Sequence, residues 1–152
     1  LPDFTCILFL PHGVRVLTAW LFGWKSILML IPGSLSVMIW LYGGLGGLTV
    51  MDLAAAFLGV ACAAFAFWAM ARLGFDYRVS RRSVTGKAPG RAGGWRDVLV
   101  VGGLASVMNA FGGAYLFQHD LFNASARFVG DILGLFVAMY VLMLAFSLAR
   151  RT

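Results

Sequence analysis

Apolar residues run along this chain in long blocks separated by short polar or glycine-rich breaks. Phe4 to Trp24 is apolar except for Thr5, His12, Arg15 and Thr18, and Pro11-His12-Gly13 interrupts it. Proline suits the first turn of a helix and disrupts its interior, so the pattern predicts a break at residues 10–13 and a helix starting near Pro11. A short turn at Gly23-Trp24-Lys25 leads into a second block, Ser26 to Tyr42, loosened at Pro32-Gly33. Gly43-Gly44-Leu45-Gly46-Gly47 then reads as a loop. Val50 to Ala71 is a third block, with Ala55, Gly59, Ala63 and Ala66 as a small-residue side that favours close helix packing in lipid. Residues 72–96 form the one long polar stretch. Val98 to Phe117 is the fourth block, carrying Gly102, Gly103, Ser106, Asn109, Gly112 and Gly113, and Gln118 to Ser125 reads as a polar turn. The last block, Phe128 to Ala149, holds a single charge, Asp131.

A hydrocarbon core about 30 Å thick takes about 20 apolar residues in a helix. The expected fold is therefore an all-α integral membrane protein, one transmembrane domain over residues 1–152. It is a bundle of about five transmembrane helices, at about 4–24, 26–42, 50–71, 98–117 and 126–149, with a basic loop at 72–96. Composition points the same way. The chain is 61% hydrophobic and 12% charged, against about 25% charged in a soluble domain.

Charge orients the bundle. If the spans alternate, Lys25, Arg72, Arg78, Arg81, Arg82, Lys87, Arg91, Arg96, Arg150 and Arg151 share one side with Asp76 and Asp97. The other side holds Arg15 and Arg127 against Asp3, Asp52, Asp120 and Asp131. The positive-inside rule makes the basic side cytoplasmic, so the expected topology starts outside and ends inside, in the bacterial cytoplasmic (inner) membrane. The formal charge of +6 is then a membrane charge and implies no nucleic acid. Arg78, Arg81, Arg82, Lys87 and Arg91 are the expected contacts to anionic lipid, at about 1 kcal/mol per basic residue near the surface. The same loop lacks the spacing of a phosphate-binding loop. The chain opens at Leu1, and no retained signal peptide is expected.

The remaining chemistry gathers toward the outer leaflet. A carboxylate in the bilayer costs roughly 2.5–3.5 kcal/mol even on lenient insertion scales, so Asp131 needs a partner. Arg127 lies one helical turn earlier, and Gly130 and Gly134 flank Asp131 at a spacing that admits a neighbouring helix. One reading is a polar pocket of His12, Arg15, Asp52, Asn109, Arg127 and Asp131 that binds a ligand or partner, its arginines suited to a carboxylate or phosphate. The other is a structural pair, Arg15–Asp131 or Arg127–Asp131, that fixes helix register. Gly59, Gly112, Gly130 and Gly134 are the expected helix-packing positions. No cofactor is expected, with haem or a pigment on His12 or His119 as the alternative. Cys6 and Cys62 read as small core residues, no metal-ligand spacing is present, and no nucleophile–base arrangement suggests an enzyme.

Two stretches carry a family resemblance. Leu10-Pro11-His12-Gly13-Val14-Arg15-Val16, running into Leu21-Phe22-Gly23-Trp24-Lys25, resembles the opening helix and basic turn of the first of the bacterial membrane-associated sensor domain families. Arg127-Phe128-Val129-Gly130-Asp131-Ile132-Leu133-Gly134 resembles that family's closing helix, and the small-residue helix around Ala105 to Gly113 is also similar. The resemblance implies a multi-span input module, which in relatives stands ahead of a histidine kinase or a cyclic-dinucleotide enzyme. It marks Pro11, Gly13, Gly130, Asp131 and Gly134 and gives none of them a catalytic role. This chain is expected to depart from the pattern in having fewer spans and no output domain after Arg151-Thr152, and it has Met139-Tyr140 where relatives often place a proline.

The expected function is thus a short stand-alone, non-enzymatic sensor-like module. It binds a small-molecule ligand or a partner outside and signals through another membrane protein. An accessory structural subunit of a larger membrane complex, respiratory or photosynthetic, is the alternative.

Overall fold

The computed structural model describes residues 9–75, 94–117 and 121–150. Among these the chain is all-helical, with five α-helices and no strand. They are α1 (Leu10–Phe22), α2 (Lys25–Leu41), α3 (Val50–Arg72), α4 (Trp95–Phe117) and α5 (Leu121–Ala149), with a short 3-10 turn at Leu45–Gly47. Three of them, α3, α4 and α5, are long and apolar enough to cross a membrane. The basic positions Arg78, Arg81, Arg82, Lys87 and Arg91, together with His119 and Asp120, lie outside the described residues.

Helix α1 starts at Leu10, close to the helix start expected near Pro11, and the boundaries differ from the expected ones at the starts of α4 and α5. The first described helix is only 13 residues, Leu10–Phe22, which at about 1.5 Å per residue is roughly 20 Å and too short to cross a bilayer alone. Pro11 falls in its first turn, where the missing N–H costs nothing. Helix α4 starts at Trp95 rather than at residue 98, because Asp97 turns back to accept the Gly94 N–H at 2.7 Å and closes the first turn. Helix α5 starts at Leu121 rather than near 126. The polar residues there do not break it, since Ser125 donates to the Phe122 carbonyl at 2.8 Å and satisfies its hydroxyl inside the helix.

Two joints set the course of the chain. At Gly23, a φ of +59° is a conformation that glycine adopts without strain, and it turns α1 into α2. At the far end of α2, Gly43 (φ +69°) and Gly44 (φ +134°) lead the chain toward α3. Between these joints α2 stays helical through Pro32 and buries only Ser26 of its own residues. It is a peripheral helix laid against α3.

Helix α3 begins with a capping box. Thr49 Oγ1 accepts the Asp52 N–H at 3.2 Å, and Asp52 Oδ2 accepts the Thr49 N–H at 2.9 Å. Tyr42 donates to Asp52 Oδ1 at 2.9 Å, tying the loop to the same carboxylate. Replacing a threonine cap by alanine costs about 1 kcal/mol. Thr49→Ala should lower stability by about that much in a thermal melt in detergent, and it should leave the far side of the bundle unchanged.

The core joins α1, α3, α4 and α5. Val16 and Ala19 of α1 pack with Cys62, Ala63, Ala66 and Phe67 of α3, Val98, Val101 and Ala105 of α4, and Leu135 and Met139 of α5. Small residues set how close the helices come. A Cβ added at Gly13 would lie 2.5 Å from the Ala138 Cβ and 2.8 Å from the Gly134 carbonyl oxygen, and one at Gly134 would collide with the Phe9 carbonyl. The start of α1 is therefore pressed backbone to backbone on α5. The Phe9 N–H, which precedes the helix and has no partner within it, donates to the Gly130 carbonyl at 3.0 Å.

These contacts also fix directions. Gly13 meets Gly134 to Ala138 where Phe9 meets Gly130 and Gly134, so α1 and α5 run parallel. Gly113 lies against Arg127 and Gly102 against Leu135, so α4 and α5 run antiparallel. Lys25, Arg96 and Arg150 consequently share one end of the bundle.

Candidate functional site

The central feature is a buried polar node where α1, α4 and α5 meet. Asp131 is the eleventh residue of α5, about 15 Å along the helix from its start. Its side chain is buried (2% exposed), as is His12 (0%). Asp131 Oδ2 accepts a hydrogen bond from Asn109 Nδ2 at 2.8 Å and lies 3.5 Å from His12 Nδ1. On its other edge, His12 Nε2 is 3.0 Å from Ser106 Oγ and 3.4 Å from the Gly102 carbonyl. Ser106 Oγ is also placed to donate to the Gly102 carbonyl, at 3.0 Å. Burial of unpaired polar groups is costly, so the contacts that cross from one helix to another help hold the three helices in one register.

The two edges of the imidazole differ. The Nε2 edge is filled. The Nδ1 edge faces the carboxylate at 3.5 Å and makes no hydrogen bond. A formed N–H···O⁻ contact would measure about 2.7–2.9 Å, so one edge of the node is open.

Asp131 thus pairs with histidine and not with arginine. Among the described residues the acid–base contact within 4 Å is His12–Asp131 alone, an ion pair only when His12 is protonated, so neither an Arg15–Asp131 nor an Arg127–Asp131 pair forms. Arg127 is exposed, and its guanidinium lies along Gly113, where an added Cβ would come within 3.3 Å. Arg15 is half-buried and lies over Gly59, where an added Cβ would come within 2.9 Å, with its guanidinium 5.4 Å from the centre of the Phe9 ring. Gly59 therefore gives room to the Arg15 guanidinium, and Gly112 gives room to the Leu58 side chain. Asp52 belongs to the α3 cap with Thr49 and Tyr42, not to the node. Of the six candidate polar residues, His12, Asn109 and Asp131 are joined directly, Arg15 and Arg127 flank them, and Asp52 stands apart.

Ser106 and the Gly102 carbonyl were missed as members of the site. The signal was present: Gly102, Ser106, Asn109 and Gly113 fall at i, i+4, i+7 and i+11, one face of a helix. That stripe reads as small residues for close packing, and its hydrogen-bonding capacity becomes visible only once α1 lies across it. Both histidine nitrogens of His12 face protein groups, which leaves neither turned outward toward a haem or pigment.

Fold and node together define an all-helical bundle with three helices able to cross a membrane, held by a buried His–Asp–Asn–Ser contact. Comparison with known protein families, curated proteins and solved structures finds no match.

Proposed function

We propose that this chain is a non-enzymatic sensor-like module of the bacterial cytoplasmic membrane, which responds at its polar node and signals by helix packing to another membrane protein. The observation that carries this reading is the His12–Asp131 contact. It is an ionisable pair buried between three helices, with one edge unfilled. Ionisable groups at this depth are expensive and mark function by default. A change at the node acts on the seam between α1 and α5, and α1 leads through the Gly23 joint to Lys25. The first-group membrane-associated sensor domain resemblance supports the same reading.

In this proposal the chain crosses the membrane about five times, starting outside and ending in the cytoplasm. Lys25, Arg72, Arg96 and Arg150 form the cytoplasmic end, and the loop carrying Arg78, Arg81, Arg82, Lys87 and Arg91 meets anionic lipid there. Arg72 stacks on Trp68 at 4.8 Å and Arg96 on Trp95 at 5.3 Å, the cation–aromatic pairs expected at a membrane interface.

An accessory subunit of a larger membrane complex is the second reading. It is favoured by the exposed aromatic residues Trp40, Tyr115 and Phe122, each at least 80% exposed, which offer broad surface to neighbours. Isolation from the native membrane in mild detergent separates the two. The sensor reading predicts a small homo-oligomer or a signalling partner, and Asp131→Asn should lose the response while keeping assembly. A stoichiometric large complex that assembles and works equally well with Asp131→Asn would overturn it.

A further inference from the structure

The polar groups of the node form a graded path into the bundle. Arg127 is exposed, Asn109 is half-buried, and Asp131 and His12 are closed off from solvent. The path enters from the end of the bundle at which α5 begins. Beyond His12 it stops. Val16, Val98, Val101 and Leu135 are buried there, with at most 1% of any of them exposed. Leu135 and Val16 also close on Gly102, where an added Cβ would meet both. A site open by polar steps on one side and sealed by aliphatic side chains on the other is a dead end, not a conduit. No large ligand fits between an imidazole and a carboxylate already 3.5 Å apart.

We propose that the ligand of this node is the proton: His12 and Asp131 together hold one exchangeable proton, taken up from the end of the bundle where α5 begins, and its arrival draws α1 onto α5. The proposal rests on the sensor reading and names what is sensed. The step is a simple addition. With Nε2–H donated to Ser106 Oγ, and Ser106 Oγ–H donated to the Gly102 carbonyl, Nδ1 presents a lone pair toward the Asp131 carboxylate. A proton added to that lone pair makes Nδ1 a donor, and the carboxylate is its acceptor and counter-charge. The 3.5 Å gap then closes toward a charge-assisted bond. Loss of the proton restores the open edge.

The groups that face the pair come from each helix packed against it. Arg15 stands on α1 one turn beyond His12, and Arg127 on α5 one turn before Asp131. Helix α4 contributes only the neutral Asn109 and Ser106, and α3 contributes the buried thiol of Cys62. Arg15 and Arg127 keep the carboxylate compensated when His12 is neutral. Histidine is therefore the group of the pair on which the added proton sits.

The test uses the full chain in lipid nanodiscs with isotope-labelled histidine, titrated between about pH 5 and 8. His119→Gln leaves His12 as the one reporting imidazole. The expected result is a His12 signal that titrates across this range, with the protection of α1 amides, taken as the intrinsic rate at the same pH over the observed exchange rate, rising about tenfold on acidification. His12→Gln, which keeps a hydrogen-bonding group toward Ser106, and Asp131→Asn should each remove the pH dependence of α1 protection, measured against the intrinsic rate, while the helical content stays intact. A His12 signal constant over the range overturns the proposal, as does an α1 response that persists unchanged in Asp131→Asn. The two readings fail separately. If His12 is silent to pH but Asp131→Asn still alters a co-isolated partner, the proton site falls and the sensor reading stands. If His12 titrates and moves α1 while the partner is indifferent to Asp131→Asn, the proton site stands and the sensor reading falls.

Discussion

Gly134→Leu should release α1 from the bundle. A Cβ at this position would collide with the Phe9 carbonyl and come within 2.9 Å of the Leu10 nitrogen. Backbone cannot rotate out of the way as a side chain can, so the seam must open. Forcing extra atoms into a packed core costs about 1–3 kcal/mol, occasionally more. Opening this seam also breaks the Phe9–Gly130 hydrogen bond and exposes His12. We expect a loss of at least about 3 kcal/mol, near the upper end of that range, read as a large fall in melting temperature in detergent. Two controls give the effect its meaning. Gly112→Ala meets the end of the Leu58 side chain, which can change rotamer, and should cost less than about 1 kcal/mol. Gly33→Ala in α2 meets nothing within 4 Å and should be neutral or stabilising by helix propensity. If all three substitutions behaved alike, close approach would not be what holds α1.

Asp131→Leu should be the other severe change. It leaves the buried His12 and the half-buried Asn109 beside a hydrocarbon side chain, each without its carboxylate partner. Removing one member of a buried ion pair typically costs about 3–5 kcal/mol, whereas replacing both by apolar groups is often neutral. The double variant His12→Leu/Asp131→Leu should therefore recover part of the stability lost in Asp131→Leu. Recovery will be incomplete, because Ser106 and Asn109 lose partners too. A double-mutant cycle in equilibrium unfolding measures the coupling directly. Strictly additive effects of the two substitutions would mean that His12 and Asp131 do not act as a pair.

Much of the helical layout can be read from the pattern of apolar blocks. The five helices, the turn at Gly23 and the glycine loop after Tyr42 each have a local cause in proline, glycine or apolar run length. The departures have local causes as well. A polar run such as Leu121 to Ser125 looks like a turn until serine's back-bonding to the i−3 carbonyl is considered. The node was legible as a membership and not as a geometry. His12, Asn109 and Asp131 are rare polar residues at similar depth, and polar residues in a bilayer seek each other. Which of them pair is a matter of rotation about each helix axis. The i, i+4 spacing of Arg127 and Asp131 favours a pair within one helix, but in the fold Arg127 lies along Gly113 and His12 faces the carboxylate. Asp52 shows the same limit, since the capping box from Thr49 to Asp52 satisfies it locally before any distant partner can.

The central claim is that the state of the His12–Asp131 pair is felt by α1. The direct test is site-resolved hydrogen exchange of the full chain in nanodiscs, comparing the native sequence with Asp131→Asn at one fixed pH. The account predicts faster exchange over residues 12–19 of α1, with Ala63 to Phe67 of α3 unchanged. Equal protection of α1 in both proteins would contradict it, and the buried pair would then be a passive feature of the core.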